Sequence, residues 1–157
     1  MTTPVRPIPE GYHSVTPYLC VNGAADAIEF YKTAFGAEEL MRMSGPEGDI
    51  RHAELQIGDS RIMLSDEVPE MNFRGPKTLG GTPVNMYLYV EDVDSVVARA
   101  VAGGAKILMA VADQFWGDRA GNFEDPFGHI WNVSTHKEDL SEDELQKRVA
   151  EALGGSN

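Results

Sequence analysis

Val15-Thr-Pro-Tyr-Leu-Cys-Val21 and Val84-Asn-Met-Tyr-Leu-Tyr-Val90 are two stretches of this chain that share part of their sequence. The identical residues recur 69 positions apart, as Tyr18/Tyr87, Leu19/Leu88 and Val21/Val90. Both stretches are rich in β-branched and aromatic residues, which predicts a strand in each. Self-similarity at a fixed spacing indicates that one structural unit is present twice.

A helical pattern follows each of these strands. Apolar residues repeat with helical spacing over 24–35 and again over 93–101, and glycines follow both segments at Gly36 and Gly103. Asp92 is placed to act as an N-cap for the second helix. Each half is therefore predicted to begin with a strand and a helix.

Further strands follow the helices. Residues 51–57 alternate between polar and apolar, and 61–65 come after a Gly58-Asp59 turn, so we predict a hairpin. Residues 130–134 form the matching strand that closes the second half. The proline- and glycine-rich segment 66–83 links the halves and is long enough to be a mobile lid.

The C-terminal segment predicts one more helix. Ser141-Glu-Asp-Glu144 is a capping box, with Leu140 and Leu145 as a hydrophobic staple. We predict a helix over 142–153 that is ended by Gly154-Gly155. Its apolar stripe is expected to dock on the body of the protein or on a partner subunit, and comprises Leu145, Val149 and Leu153.

Composition and charge exclude several classes of function. The chain has 157 residues, of which 42% are hydrophobic, enough for one domain or two small fused halves. It has neither a membrane-length apolar run nor a signal-peptide pattern, and its only cysteine, Cys20, permits no intrachain disulfide, so we expect a cytoplasmic protein. Cys20 is expected to be a small strand residue rather than a nucleophile.

The net charge of −12 argues against nucleic acid and anionic membranes as partners. The same charge would favour a cationic ligand. The alternative is that the acidic residues serve solubility alone.

Five local motifs are similar to those of one superfamily. They are Ala24-Ala-Asp-Ala-Ile-Glu-Phe-Tyr31 with Phe35-Gly36, Val90-Glu-Asp-Val-Asp94, Gly117-Asp-Arg119, Asp125-Pro-Phe-Gly-His129, and Trp131 through Thr135-His136. Together they resemble the PhnB-like branch of the vicinal oxygen chelate superfamily, which includes glyoxalase I, bleomycin-resistance proteins and extradiol dioxygenases. The resemblance covers about residues 14–137.

This resemblance implies an α+β fold of two tandem βαβββ modules that form a curved, eight-stranded, U-shaped sheet, followed by a C-terminal helix. We predict an N-terminal arm over 1–13, modules over 14–75 and 76–137, and a helix and tail over 138–157. The resemblance also implies a pocket between the modules and a homodimer.

Metal-dependent members of the superfamily hold their ion with His, Glu or Gln side chains from four strands. The matching positions here are Thr16, Met63, Asn85 and Asn132, and none is a histidine or a carboxylate. A thioether and neutral oxygens do not suit a hard or borderline divalent ion. We therefore predict that the usual metal site is absent and expect no cofactor.

Side chains alternate between the two faces of a strand, and this alternation predicts which of them point toward the pocket. His52 and Glu54 could act as a base and its orienting partner; alternatively, Glu54 pairs with Arg61 and His52 only lines the pocket. The remaining predicted ligand-binding residues are the four positions above with Tyr18, Tyr87, Tyr89, Trp116 and Arg119.

The aromatic members of this set could stack on a planar or cationic ligand, or serve as core. Arg119 could clamp an anionic ligand, or pair structurally with Asp118 or Glu124. His129 and His136 are interpreted as structural.

Three functions follow in order of preference. The first is a metal-free protein, similar to the bleomycin-resistance type, that binds a small molecule by sequestration. The alternative is a metal-independent enzyme that uses His52 and Glu54 as acid-base groups. A metal-dependent lyase or dioxygenase is least favoured, and the residues alone leave open whether the protein is an enzyme.

Overall fold

The computed structural model describes residues 3–154. These residues divide into two compact units, one that ends at Gly81 and one that begins at Thr82. No helix within residues 3–154 combines the length and the apolar character needed to cross a membrane.

The first unit is built on a four-stranded sheet. Its elements are β1 (Tyr18–Val21), α1 (Ala24–Phe35), β2 (Glu38–Ser44), β3 (Ile50–Ile57), β4 (Ser60–Asp66), a single 3-10 turn (Pro69–Met71) and the short helix α2 (Pro76–Leu79). The strand order is β1-β4-β3-β2. β1 runs parallel to β4, and the other neighbours are antiparallel.

The second unit repeats this arrangement. Its elements are β5 (Asn85–Tyr89), α3 (Val93–Ala102), β6 (Lys106–Asp113), β7 (Asp118–Glu124), β8 (Ile130–His136) and α4 (Glu142–Gly154). The strand order is β5-β8-β7-β6, with β5 parallel to β8. The predicted fold class, α+β with two βαβββ modules and a C-terminal helix, is confirmed.

The repeat extends to the residue register of the sheets. Tyr18 lies opposite Met63 in the first sheet, and Tyr87 lies opposite Asn132 in the second. Met63 and Asn132 are separated by the same 69 positions as the sequence repeat. The two sheets therefore share their strand pairing as well as their order of elements.

One face of each sheet is covered by its long helix. In the first unit α1 contacts β2, β3 and β4, and Leu55 and Leu64 are fully buried beneath it. In the second unit α3 contacts β6, β7 and β8, over the buried Phe123 and Val133. Because side chains alternate along a strand, the intervening residues point to the opposite side, which we call the open face of each sheet.

A polar side chain at the end of the last strand holds the start of each long helix. Asp66 accepts hydrogen bonds from the backbone N–H groups of Gly23 and Ala24 at 2.9 and 2.8 Å. At the equivalent position, Thr135 Oγ1 accepts from the N–H of Val93 at 2.9 Å. These contacts satisfy N–H groups that lack a partner in the first turn of a helix.

Three details differ from the sequence-based predictions. Val15 opens the first predicted strand, but it lies before β1 and is 87% exposed. Pro17 precedes the strand and has no N–H for the ladder, so regular pairing starts only at Tyr18. The segment 66–83 contains a 3-10 turn, α2 and a bridge between Val68 and Phe73 rather than loop alone.

The C-terminal helix begins where the capping box predicts, because Ser141 Oγ accepts from the N–H of Glu144 at 3.1 Å. Leu145 and Val149 of this stripe are half-buried and Arg148 of α4 donates to the carbonyl oxygen of Phe115 at 3.2 Å, whereas Leu153 is 75% exposed. Gly154 is the last described residue, and the predicted stop at Gly155 lies outside the described residues.

Candidate functional site

The open face of the first sheet brings Tyr18, His52 and Glu54 into one row of polar contacts. The Tyr18 hydroxyl lies 2.8 Å from Nδ1 of His52, and Nε2 of His52 lies 3.3 Å from a Glu54 carboxylate oxygen. The His52 and Glu54 side chains are only 23% and 16% exposed. Both imidazole nitrogens are therefore engaged, and the Tyr18 hydroxyl forms the outer end of the row.

The alternative pairing of Glu54 with Arg61 does not form. The Arg61 guanidinium donates to Gln56 Oε1 at 3.0 Å and to the carbonyl oxygen of Glu10 at 3.2 Å. It also lies over the ring of Tyr12, 4.9 Å from the centroid. Arg61 thus links the N-terminal arm to the first sheet. The Glu54 carboxylate contacts His52 instead.

A cavity of about 350 Å³ adjoins this row. Its lining residues are Tyr18, Arg51, Ser65, Val68, Met71 and Phe73. The Phe73 ring meets the Tyr18 ring edge-on at 5.6 Å, so the segment after β4 forms one wall. Mostly apolar walls with a few polar groups, at this volume, are typical of a small-molecule site.

Sequence reasoning identified only Tyr18 among these lining residues as ligand-binding. Val68, Met71 and Phe73 lie after β4, in the segment interpreted as a linker. The sequence signal that could have indicated their role is the presence of three apolar side chains within a polar, proline-rich stretch.

The open face of the second sheet carries a different polar network. Ser134 Oγ donates to the Tyr87 hydroxyl at 2.8 Å, and the Tyr87 and Tyr89 rings lie 5.1 Å apart. Asn122 Nδ2 donates to Asn132 Oδ1 at 3.2 Å. Tyr87 and Tyr89 are 50% and 62% exposed, so their rings are accessible on this face.

Asp118 is the buried centre of this second network and was not predicted as a site residue. Its carboxylate is 4% exposed and accepts from Trp116 Nε1 at 3.1 Å and from the Tyr87 hydroxyl at 3.4 Å. His136 Nδ1 lies 2.7 Å from its other oxygen. Trp116, which was predicted to contact the ligand, is thus oriented by a hydrogen bond to Asp118.

His136 contacts two carboxylates. Besides Asp118, its Nε2 lies 2.8 Å from Asp139. The hydrogen bonds to Asp118 and then Asp139 raise the pKa of His136 above its usual 6.5, since both favour the imidazolium. The residue joins β8 to the segment before α4.

Arg119 lies apart from these open-face residues. Its guanidinium binds Asp94 of α3 through two hydrogen bonds, at 2.8 and 3.0 Å, and Asp113 through a third at 3.2 Å. Asp118 and Glu124, the structural partners considered from the sequence, are not those it binds. Because Asp118 points to the open face, its neighbour Arg119 points to the helix side. Arg119 is therefore left out of the proposed site.

The four positions that correspond to the superfamily's metal ligands offer poor donors for a divalent ion. Thr16 and Asn85 carry neutral oxygens, Met63 carries a thioether, and Asn132 Oδ1 already accepts from Asn122. Within residues 3–154, no group of three or more His, Cys, Asp or Glu side chains is arranged to hold a metal. The donor set does not fit the ion that this fold holds in its metal-dependent members.

The Asp125-to-His129 turn has a structural explanation. The Asp125 carboxylate is 2% exposed and accepts from the N–H groups of Phe127 and His129 at 2.9 and 3.0 Å. It also accepts from Trp131 Nε1 at 2.9 Å. One buried side chain thereby fixes the turn and the start of β8.

A duplicated βαβββ module with a parallel first and last strand defines the glyoxalase-type class of folds. The chain belongs to the Glyoxalase/Bleomycin resistance protein/Dioxygenase superfamily, whose family model matches residues 11–133.

Individual relatives agree with this assignment. An uncharacterized protein of Mycobacterium tuberculosis is 45% identical over 140 residues, which cover 87% of this chain and 82% of the relative. A solved Arabidopsis thaliana gene product is 28% identical with a TM-score of 0.64, covering 78% of this chain and 98% of that one. A solved PhnB protein from Bacillus cereus shares the fold, with a TM-score of 0.64. It is 21% identical, and the match covers 78% of this chain and 99% of that one.

Proposed function

We propose that this protein binds a small organic molecule in the cavity beside Tyr18, without the divalent metal site of its metal-dependent relatives. The observation that carries the proposal is the cavity of about 350 Å³ between Tyr18 and Phe73. Aromatic and aliphatic walls there supply burial, and the Tyr18 hydroxyl and Ser65 supply polar contacts that would orient a ligand.

The chemistry of the surroundings favours a ligand that is aromatic or cationic, since the charge of the lining residue Arg51 is compensated by Asp49 at 2.7 Å. Tyr18 and Phe73 present ring surfaces, and the Glu54 carboxylate lies behind His52 on the same face. The net charge of −12 would attract a cation over longer distances. A ligand of this type would be held by ring contacts and by burial, which is sufficient for sequestration.

Calorimetric titration with a small aromatic cation such as benzyltrimethylammonium, whose size suits a cavity of about 350 Å³, tests this proposal. We expect binding that weakens at high salt and is lost in Phe73→Ala, which removes one cavity wall. Phe115→Ala is the matched control, since Phe115 is a partly exposed aromatic residue of the other unit. Absence of binding, or equal binding by the two variants, would contradict the proposal.

A second candidate function is metal-independent proton transfer. The row of Tyr18, His52 and Glu54 favours it, because a carboxylate behind an imidazole can assist proton movement at the outer group. In this arrangement the Tyr18 hydroxyl meets the substrate, and His52 and Glu54 act through it.

Mass spectrometry of bound compounds distinguishes the two functions. An enzyme would return a chemically altered ligand from the wild type in the presence of EDTA, and an unaltered one from Tyr18→Phe. Recovery of the same intact ligand from both proteins would leave sequestration as the function.

We also propose a homodimer, which the superfamily resemblance implies. Light scattering coupled to gel filtration should give twice the chain mass of 17.2 kDa. A monomer across the micromolar range would contradict this part of the proposal.

A further inference from the structure

The outer strand pair of the first sheet places two methionines directly beside the His52–Glu54 pair. In the antiparallel pairing of β2 with β3, Met43 lies opposite His52 and Met41 lies opposite Glu54. Residues that face each other in this way share one side of the sheet. Met41 and Met43 therefore lie on the open face, and these four side chains form a two-by-two block.

The block is small enough for its side chains to meet. Directly opposed residues have their Cβ atoms roughly 5 Å apart, and next neighbours along one strand face are about 7 Å apart. The long, flexible methionine side chains can reach a common point above the centre of such a block. Met63, opposite Glu54 on β4, places a third thioether on the same face.

Both methionines of the pair are accessible. Met41 is 39% exposed and Met43 is 53% exposed, although methionine is more often a core residue. The neighbouring His52 and Glu54 side chains are mostly covered, and His52 Nε2 lies 3.3 Å from a Glu54 carboxylate oxygen. Packing alone therefore gives no reason for two thioethers at this position.

The donor set of this block is soft. Thioether sulfur binds Cu(I) and related monovalent ions, whereas divalent zinc, magnesium and calcium require thiolate, imidazole or carboxylate ligands. Imidazole nitrogen is compatible with copper and completes a set of two sulfurs and one nitrogen. Glu54 adds a negative charge beside the position of the ion.

The Tyr18–His52 contact suits a metal-binding imidazole. A ligating histidine usually donates its other ring N–H to an outer partner, which fixes the tautomer and the ring orientation. With the proton on Nδ1, His52 donates to the Tyr18 oxygen at 2.8 Å. Nε2 then carries a lone pair that faces a Glu54 carboxylate oxygen at 3.3 Å, and a cation bound at Nε2 would relieve the repulsion between these two acceptors.

We propose that Met41, Met43 and His52, supported by Glu54, form a binding site for one Cu(I) ion. This site differs in residues and in metal class from the divalent site of the superfamily. It also does not depend on the cavity that Phe73 lines, so the two proposals can fail separately.

Competition with the chromogenic chelator bicinchoninate under anaerobic conditions tests the site. The wild type should withdraw one equivalent of Cu(I) from the chelator complex. Met41→Leu/Met43→Leu should bind at least about tenfold more weakly, because even loss of an outer-shell partner has an effect of this size. Leucine keeps the volume and apolar character, so folding should be retained.

Two control variants identify where the ion binds. Met71→Leu removes a thioether that is 78% exposed and lies outside the block, and it should leave Cu(I) binding unchanged. Cys20→Ala removes the only thiol and should also have no effect. Cu(I) binding of wild-type affinity in the double leucine variant would overturn the proposal. Loss of Cu(I) binding in Cys20→Ala would also overturn it.

Methyl NMR with the redox-inert surrogate Ag(I) gives a second readout. In protein labelled at the methionine methyl carbons, the signals of Met41 and Met43 should shift on addition of one equivalent, and that of Met71 should not. Equal shifts of all exposed methionines would show nonspecific binding and contradict the site. Phe73→Ala should respond as the wild type does.

Discussion

Tyr18 and Tyr87 occupy the same register position in the two modules but have different hydrogen-bond partners. The Tyr18 hydroxyl contacts Nδ1 of His52 at 2.8 Å, whereas the Tyr87 hydroxyl accepts from Ser134 at 2.8 Å. Duplication has preserved the strand position of the ring and not its surroundings. The first module therefore carries an imidazole–carboxylate pair beside its tyrosine, and the second carries the Asp118 network.

Replacement of Arg119 should leave ligand binding intact. Its guanidinium is held by Asp94 and Asp113 on the helix side of the second sheet, away from the proposed site. We expect Arg119→Ala to change the free energy of unfolding only slightly, because exposed ion pairs contribute little. Calorimetric titration with the same small aromatic cation should give the wild-type affinity; a large loss would restore Arg119 to the site.

Removal of the Asp66 carboxylate should destabilise the first module. This side chain accepts from the N–H groups of Gly23, Ala24 and Ile50. We expect Asp66→Ala to lower the free energy of unfolding by about 2 kcal/mol, the upper range for loss of a helix cap. Urea denaturation followed by circular dichroism measures the change.

Asp59→Ala serves as the control for this experiment. Asp59 lies in the β3–β4 turn and its carboxylate contacts only the neighbouring Ser60 hydroxyl. Equal losses of stability in the two variants would contradict the capping role of Asp66. Thr135→Ala should affect the second module by about 1 kcal/mol, since one hydroxyl cap is lost there.

Stability should fall as pH rises through the titration of His136. Contacts with Asp118 and Asp139 raise the pKa of His136 above 6.5, so the folded state binds this proton more tightly than the unfolded state. The contribution is fully present below pH 6.5 and is lost as pH rises through the folded-state pKa.

His136→Gln should remove this component of the pH dependence. Urea melts between pH 5 and 9 compare the variant with the wild type, and NMR titration of the imidazole gives its pKa directly. A folded-state pKa at or below the usual value would refute the role of the two carboxylates.

Cys20 should be unreactive in the native protein. It is 7% exposed, and burial together with the negative charges of Glu67 and Asp66 raises the pKa of Cys20 to about 11. The nucleophilic thiolate is therefore scarce at neutral pH. We expect DTNB to label the thiol slowly in buffer and rapidly in urea; rapid native labelling would contradict this assignment.

The order of the elements could be read from local patterns. The helical spacing of 24–35, the Asp92 cap and the Ser141 capping box each act within a few residues. Local sequence patterns were therefore enough to predict α1, α3 and α4. Side-chain alternation likewise predicted that His52 and Glu54 of β3 lie on the same side of their sheet. β2, β6 and β7 were not located individually, because their sequences carry weaker patterns.

The partners of individual side chains could not be read in this way. Glu54 had two plausible partners, His52 two positions earlier and Arg61 seven positions later, and only the fold places it beside His52 rather than Arg61. Arg119 finds Asp94 on a helix 25 positions earlier, and no local rule predicts that pairing. The cavity also required the segment after β4 to fold back against Tyr18.

Residue type and short-range periodicity were sufficient to predict the duplicated module, its helices and the lack of suitable donors at the superfamily's metal positions. The Asp118 network, the Phe73 wall and the placement of Met41 and Met43 beside His52 could not be predicted in this way. Those contacts depend on strand register and on chain segments far apart in sequence. Their geometry exists only once the sheets have formed.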